Sequence, residues 1–120
     1  MTAALDSVPT PILVGIGGAA GALARYAVDR LLDGGRRSTF AVNVLGSTLL
    51  GAIVAASLPA AALALVATGF CGAFTTFSSF ALNVTLALDS GRVDIALVDA
   101  VGTLAAALAG VWVGSALVGV

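Results

Sequence analysis

Residues 38–88 read STFAVNVLGSTLLGAIVAASLPAAALALVATGFCGAFTTFSSFALNVTLAL, a run of 51 residues without one charged side chain. A transmembrane helix needs about 20 apolar residues, so this run holds two spans, divided at Pro59. Working outward, the uncharged stretches Ser7–Ala24 and Ala100–Val120 are each long enough for one span more. The full chain of 120 residues is 60% hydrophobic and 9% charged, whereas about a quarter of a soluble domain is charged. These features exclude an ordinary soluble domain and predict an all-α membrane protein with four transmembrane helices.

Composition narrows the chemistry as well. The charged residues are five Arg (25, 30, 36, 37, 92) and six Asp (6, 29, 33, 89, 94, 99), for a net charge of -1. Lys, Glu and His, the usual sources of general acid–base catalysis, are absent, which argues against an enzyme. The charge balance argues against a nucleic-acid partner. Cys71 is the single cysteine, so no intrachain disulfide or zinc cluster is possible, and its apolar neighbours predict a buried, inert thiol. Met1–Val8 lacks the positive stretch of a signal peptide, so the first span is read as retained.

The chain forms a single four-span membrane domain, 1–120, with spans expected at about 11–28, 39–58, 61–88 and 95–118. Pro9 and Pro11 suit a helix start, and the charged stretch from Arg25 to Arg37 ends the first span. The third span carries a defect near 69–76. Two Gly and four Ser/Thr fall within Gly69–Phe80, which predicts a helix interrupted mid-membrane. In a four-span chain the first and third loops share one side, and all five Arg fall there. The positive-inside rule then puts those loops in the cytoplasm and both termini outside.

Several motifs carry structural or functional weight. Gly15-Ile16-Gly17-Gly18-Ala19-Ala20 fits a dinucleotide-binding pattern but has no strand before it, so small-residue helix packing is the better reading. Gly17 with Gly21, and Gly110 with Gly114, repeat that packing spacing; Gly102 lies close to the same face of the fourth span. Thr39, Asn43 and Ser47 recur every fourth residue and form one polar stripe. Its bland reading is interhelical hydrogen bonding; its functional reading is a polar track on which the Asn43 amide donates to an anion. Arg25 suits either a snorkelling anchor or an anion vestibule. Asp99 and, four residues on, Thr103 extend a polar face on the fourth span.

Unwinding a helix at membrane depth strands backbone carbonyls, which is tolerated only where they meet protein, water or an ion. Carbonyls pointing into such a break suit a cation. Phe77 and Phe80 share one face and Thr76, Ser79 and Asn83 an adjacent one. Ring edges carry partial positive charge and so can receive a small anion.

Three segments, Gly17–Tyr26, Thr39–Gly46 and Gly69–Phe80, closely resemble the bacterial Fluc/CrcB fluoride channel family in order and spacing. The resemblance implies a fluoride-selective channel that lowers cytoplasmic fluoride by passive export. It further implies an antiparallel dimer with two pores in a bacterial cell membrane. A structural sodium ion, required but not transported, is held at the dimer centre by main-chain carbonyls that match Gly72 and Thr75. The implied fluoride pathway matches Phe77, Phe80, Asn43, Arg25 and Thr103, beside the polar residues Thr39 and Ser79.

The chain departs from the family pattern where Ala81 and Asn83 replace a common Ser and Glu. Its 5:0 arginine distribution is also unusual for a chain that inserts both ways, and suggests pairing with an oppositely oriented paralogue rather than a homodimer. Two other readings compete. A small multidrug-resistance type exporter has similar outline but needs a membrane-embedded Glu, and this chain has none. A non-conducting structural or assembly subunit of a heteromeric channel would accommodate the departures at Ala81 and Asn83.

Overall fold

The computed structural model describes residues 2–119; Met1 and Val120, the two ends of the 1–120 domain, lie outside them. A short helix α1 (Thr2–Asp6) precedes α2 (Thr10–Leu32) and α3 (Gly35–Ala55). The third span is composite: α4 (Ala60–Leu63), a π-helical stretch Ala64–Cys71, α5 (Gly72–Phe74) and α6 (Phe77–Asp89). The fourth comprises α7 (Val93–Leu97), π-helical Val98–Gly102 and α8 (Thr103–Gly119). Four helical runs, Thr10–Leu32, Gly35–Ala55, Ala60–Asp89 and Val93–Gly119, are long and apolar enough to cross a membrane. The chain is a multi-pass membrane protein.

Local chemistry explains the ends of these runs. Pro9 caps α2 and Pro11 sits in its first turn, where a missing N–H costs no intrahelical bond. The helix continues past Val28 to Leu32, because Arg and Asp near a helix end do not themselves stop it. What stops it is a left-handed turn: Asp33, Gly34 and Gly35 have φ of 58°, 63° and 72°. α3 in turn begins at Gly35, earlier than expected, and ends at Ala55 rather than at residue 58. Pro59 disfavours helical backbone in the residue before it, and Ser57 takes φ 53° in the turn between the spans.

Two glycine seams fasten the helices in pairs. A Cβ on Gly17 would strike the Leu65 carbonyl, and one on Gly21 the Phe70 carbonyl, so α2 lies directly against the backbone of the π-helical stretch. Gly69 answers from the other side, where a Cβ would sit 2.8 Å from the Val14 carbonyl. The second seam joins α3 to α8: a Cβ on Gly114 would strike the Thr48 carbonyl, and one on Gly51 the Val111 carbonyl. Gly110 closes on the Thr48 hydroxyl. The G-x-x-x-G spacings therefore act as packing surfaces, whereas Gly102 faces open space.

Large apolar side chains point outward. Leu31, Phe77, Leu117 and Trp112 are each more than 70% exposed, while the interior holds Leu13, Val42, Ile53 and Phe74. Such apolar exposure would drive aggregation in water and is matched by lipid or by another apolar protein surface.

Candidate functional site

The third span leaves helical geometry at two residues. Thr75 has ψ 164° and Thr76 has φ -148° and ψ 121°, both extended, and α6 restarts at Phe77. The wider segment expected to be irregular, 69–76, is otherwise helical, with π turns up to Cys71. Two extended residues suffice to strand backbone groups, and side chains collect them. The Asn43 amide grips Thr76 from both sides: its Nδ2 donates to the Thr76 carbonyl at 2.9 Å, and its Oδ1 accepts from the Thr76 N–H at 2.8 Å. The Thr76 hydroxyl caps α6 by accepting from the Ser79 N–H at 3.1 Å.

These bonds have a consequence for the carbonyls upstream. In a continuous helix the Thr76 N–H would close on Gly72 and the Ser79 N–H on Thr75. Asn43 takes the first donor and the Thr76 hydroxyl the second. The carbonyls of Gly72 and Thr75 are thereby deprived of their helical donors, which is the condition a main-chain cation site requires. Arg25 Nη1 approaches the Thr75 carbonyl at 3.4 Å, a long bond at the edge of the useful range.

Beside the break lies an open cleft of about 390 Å³. Its polar lining comes from Asn43, Ser47, Thr75, Thr76 and Thr103, and its aromatic lining from Phe77 and Phe80. The two rings stand 5.8 Å apart, tilted at 43°. Phe80 is partly covered, but Phe77 is 78% exposed, so within one chain its ring is a wall with nothing opposite. A smaller pocket shares Phe80 and Thr103 with the cleft and adds Arg36, Thr39, Asn83 and Asp99. There Asn83 Nδ2 donates to the Thr39 hydroxyl at 3.1 Å.

Of the residues selected from sequence, Asn43, Gly72, Thr75, Phe77, Phe80 and Thr103 meet at the cleft, and Thr39 lines the smaller pocket beside it. Arg25 and Ser79 line neither; Arg25 reaches the break from α2, and Ser79 contributes its N–H to the cap. The Asn43 amide still has one N–H to offer an anion, because the other is committed to Thr76. Thr76, only 8% exposed, was placed by sequence on a polar face with Ser79 and Asn83, but its capping role was not assigned. Its signal was available: a Thr three residues before Ser79, just ahead of an apolar run, is a helix N-cap pattern. Cys71 is buried at 3% exposure on the cleft's edge.

The family model described as "CrcB-like protein, Camphor Resistance (CrcB)" matches residues 12–115. The chain is 52% identical over 110 residues to "Fluoride-specific ion channel FluC 2" of Natronomonas pharaonis, covering 90% of this chain and 93% of that one. Two proteins of Haloarcula marismortui are also similar. "Fluoride-specific ion channel FluC 2" is 42% identical, covering 82% of this chain and 85% of its own. "Fluoride-specific ion channel FluC 1" is 40% identical, with coverage of 95% and 89%.

Proposed function

The chain belongs to the CrcB-like family, and from that premise we propose that it is a fluoride-selective channel lowering cytoplasmic fluoride by passive export. The observation that carries this reading is the joining, in one cleft, of a helix break and an anion-compatible lining. Phe77 and Phe80 offer ring edges, Asn43 an uncommitted N–H, and Thr103 a hydroxyl. Among the described residues, no charged one lines the main cleft. A small, strongly hydrated anion therefore exchanges water for weak, spread donors, which suits passage better than capture.

We also propose that Gly72 and Thr75 offer their carbonyls to a structural sodium ion that is not transported. The loss of their helical donors supports the fit. Sodium would supply fixed positive charge and tie the break to a second chain, and Arg25 would have to release Thr75 for it to bind. The 78% exposure of Phe77 supports an antiparallel dimer, since an opposing subunit would complete its wall. The partner is either a second copy or an oppositely oriented paralogue. The presence of both a FluC 1 and a FluC 2 in one organism supports the second arrangement.

The test is ion efflux from liposomes containing this chain alone, read with fluoride and chloride electrodes, with and without sodium. Fluoride efflux that exceeds chloride efflux and needs sodium, from this chain alone or after an oppositely oriented paralogue is added, is the expected result. Absence of fluoride efflux overturns the homodimeric channel; recovery on adding an oppositely oriented paralogue would assign conduction to the pair.

A further inference from the structure

Among the described residues, the linings of the cleft and of the smaller pocket beside it contain two charged side chains, Arg36 and Asp99, and they are bonded to each other. Arg36 Nε donates to Asp99 Oδ2 and Nη2 to Oδ1, both at 2.6 Å, a two-pronged guanidinium–carboxylate pair. Asp99 is 14% exposed and Arg36 48%, so the carboxylate is the enclosed partner and the guanidinium reaches outward. Asp99 sits in the π-helical stretch Val98–Gly102, and wide turns of this kind recur at functional positions. The pocket they close adjoins the cleft, with Phe80 and Thr103 lining both.

We propose that Arg36 and Asp99 form a charge-compensated mouth to the anion path, in which Arg36 neutralises a carboxylate that would otherwise repel fluoride. The idea rests on the channel reading above. A bare carboxylate at the half-exposed mouth repels anions arriving from solvent, an interaction that weakens as ionic strength rises. A bare guanidinium at the same place attracts them. Paired, the two leave the mouth near neutral, while Thr39 and Asn83 supply polar contacts around it. Arg36 and Asp99 are positioning residues for conduction in this scheme, and the sign of the charge left behind decides the effect of losing either.

A structural tie between α3 and the fourth span would behave differently, losing as much from one partner as from the other. The experiment compares fluoride efflux from liposomes containing the full chain, Arg36→Gln, Arg36→Lys, Asp99→Asn and the double variant Arg36→Gln/Asp99→Asn. Each is checked for monodispersity in detergent. Arg36→Gln should reduce efflux by about tenfold or more, and raising ionic strength with an impermeant salt should shrink the deficit. Asp99→Asn should keep or raise efflux, Arg36→Lys should retain most of it, and the double variant should return to within about threefold of the parent.

Equal loss in Arg36→Gln and Asp99→Asn, or a double variant no better than Arg36→Gln, overturns the proposal. So does Arg36→Lys failing as badly as Arg36→Gln, or loss of monodispersity in Arg36→Gln. A parent chain that conducts no fluoride, alone or with an oppositely oriented paralogue, overturns the channel reading together with this one; a conducting parent with symmetric losses overturns this one alone.

Discussion

Asn43 does more in this fold than line a path. Its amide accepts the Thr76 N–H, which the break leaves without a helical acceptor, and donates to the Thr76 carbonyl as well. Leaving a buried backbone group unpaired costs about 1–3 kcal/mol, and Asn43→Leu would strand the Thr76 N–H. That variant should melt at a clearly lower temperature in detergent and lose fluoride efflux, whereas Asn43→Asp, which keeps the acceptor, should lose less stability. Similar melting for Leu and parent would show the clip to be dispensable. Phe80 tests a different property. Replacing it with Ile keeps apolar bulk and removes the ring edge, so efflux should fall by about tenfold or more with oligomeric state unchanged in size-exclusion chromatography. Unaltered efflux would remove Phe80 from the path.

At the scale of elements, close backbone approach governs. Gly21 has the Phe70 backbone where a side chain would go, while Gly15 has nothing within 4 Å. Gly21→Val should therefore destabilise the chain by about 3 kcal/mol or more, since overpacking against backbone cannot be relieved by a rotamer change. Gly15→Ala should be neutral or slightly stabilising. Thermal melts of the two variants check the contrast. The same scale separates what was legible in the sequence from what was not. The four spans and the packing glycines are written in runs of apolar residues and in i, i+4 spacing, which act locally. The clip between Asn43 and Thr76 joins residues 33 apart, and Arg36 finds Asp99 across 63 positions. No local pattern announces such pairings. The π turns were equally silent, because Ala64–Cys71 and Val98–Gly102 carry no residue type that demands a wide turn. Thr75 and Thr76 lay within a segment that composition marked as irregular, but composition spread the defect over eight residues where the backbone confines it to two.

For the whole molecule, orientation is the open property with the sharpest consequence. All five arginines belong to the first and third loops or their flanks, so this chain expressed alone should insert in one direction, with a tag at residue 120 accessible only from outside. Equal labelling of that tag from both sides would favour a homodimer built from two insertions. The two glycine seams also bear on how the chain is made. They join the first span to the third and the second to the fourth, while α2 and α3, neighbours in sequence, share no glycine seam with each other. Neither seam can close while only the first two spans have left the ribosome. Synthesis must therefore carry a pair of helices without their final partners until residues 64–71 emerge, and biogenesis of this protein depends on whatever shelters unpaired helices during that interval.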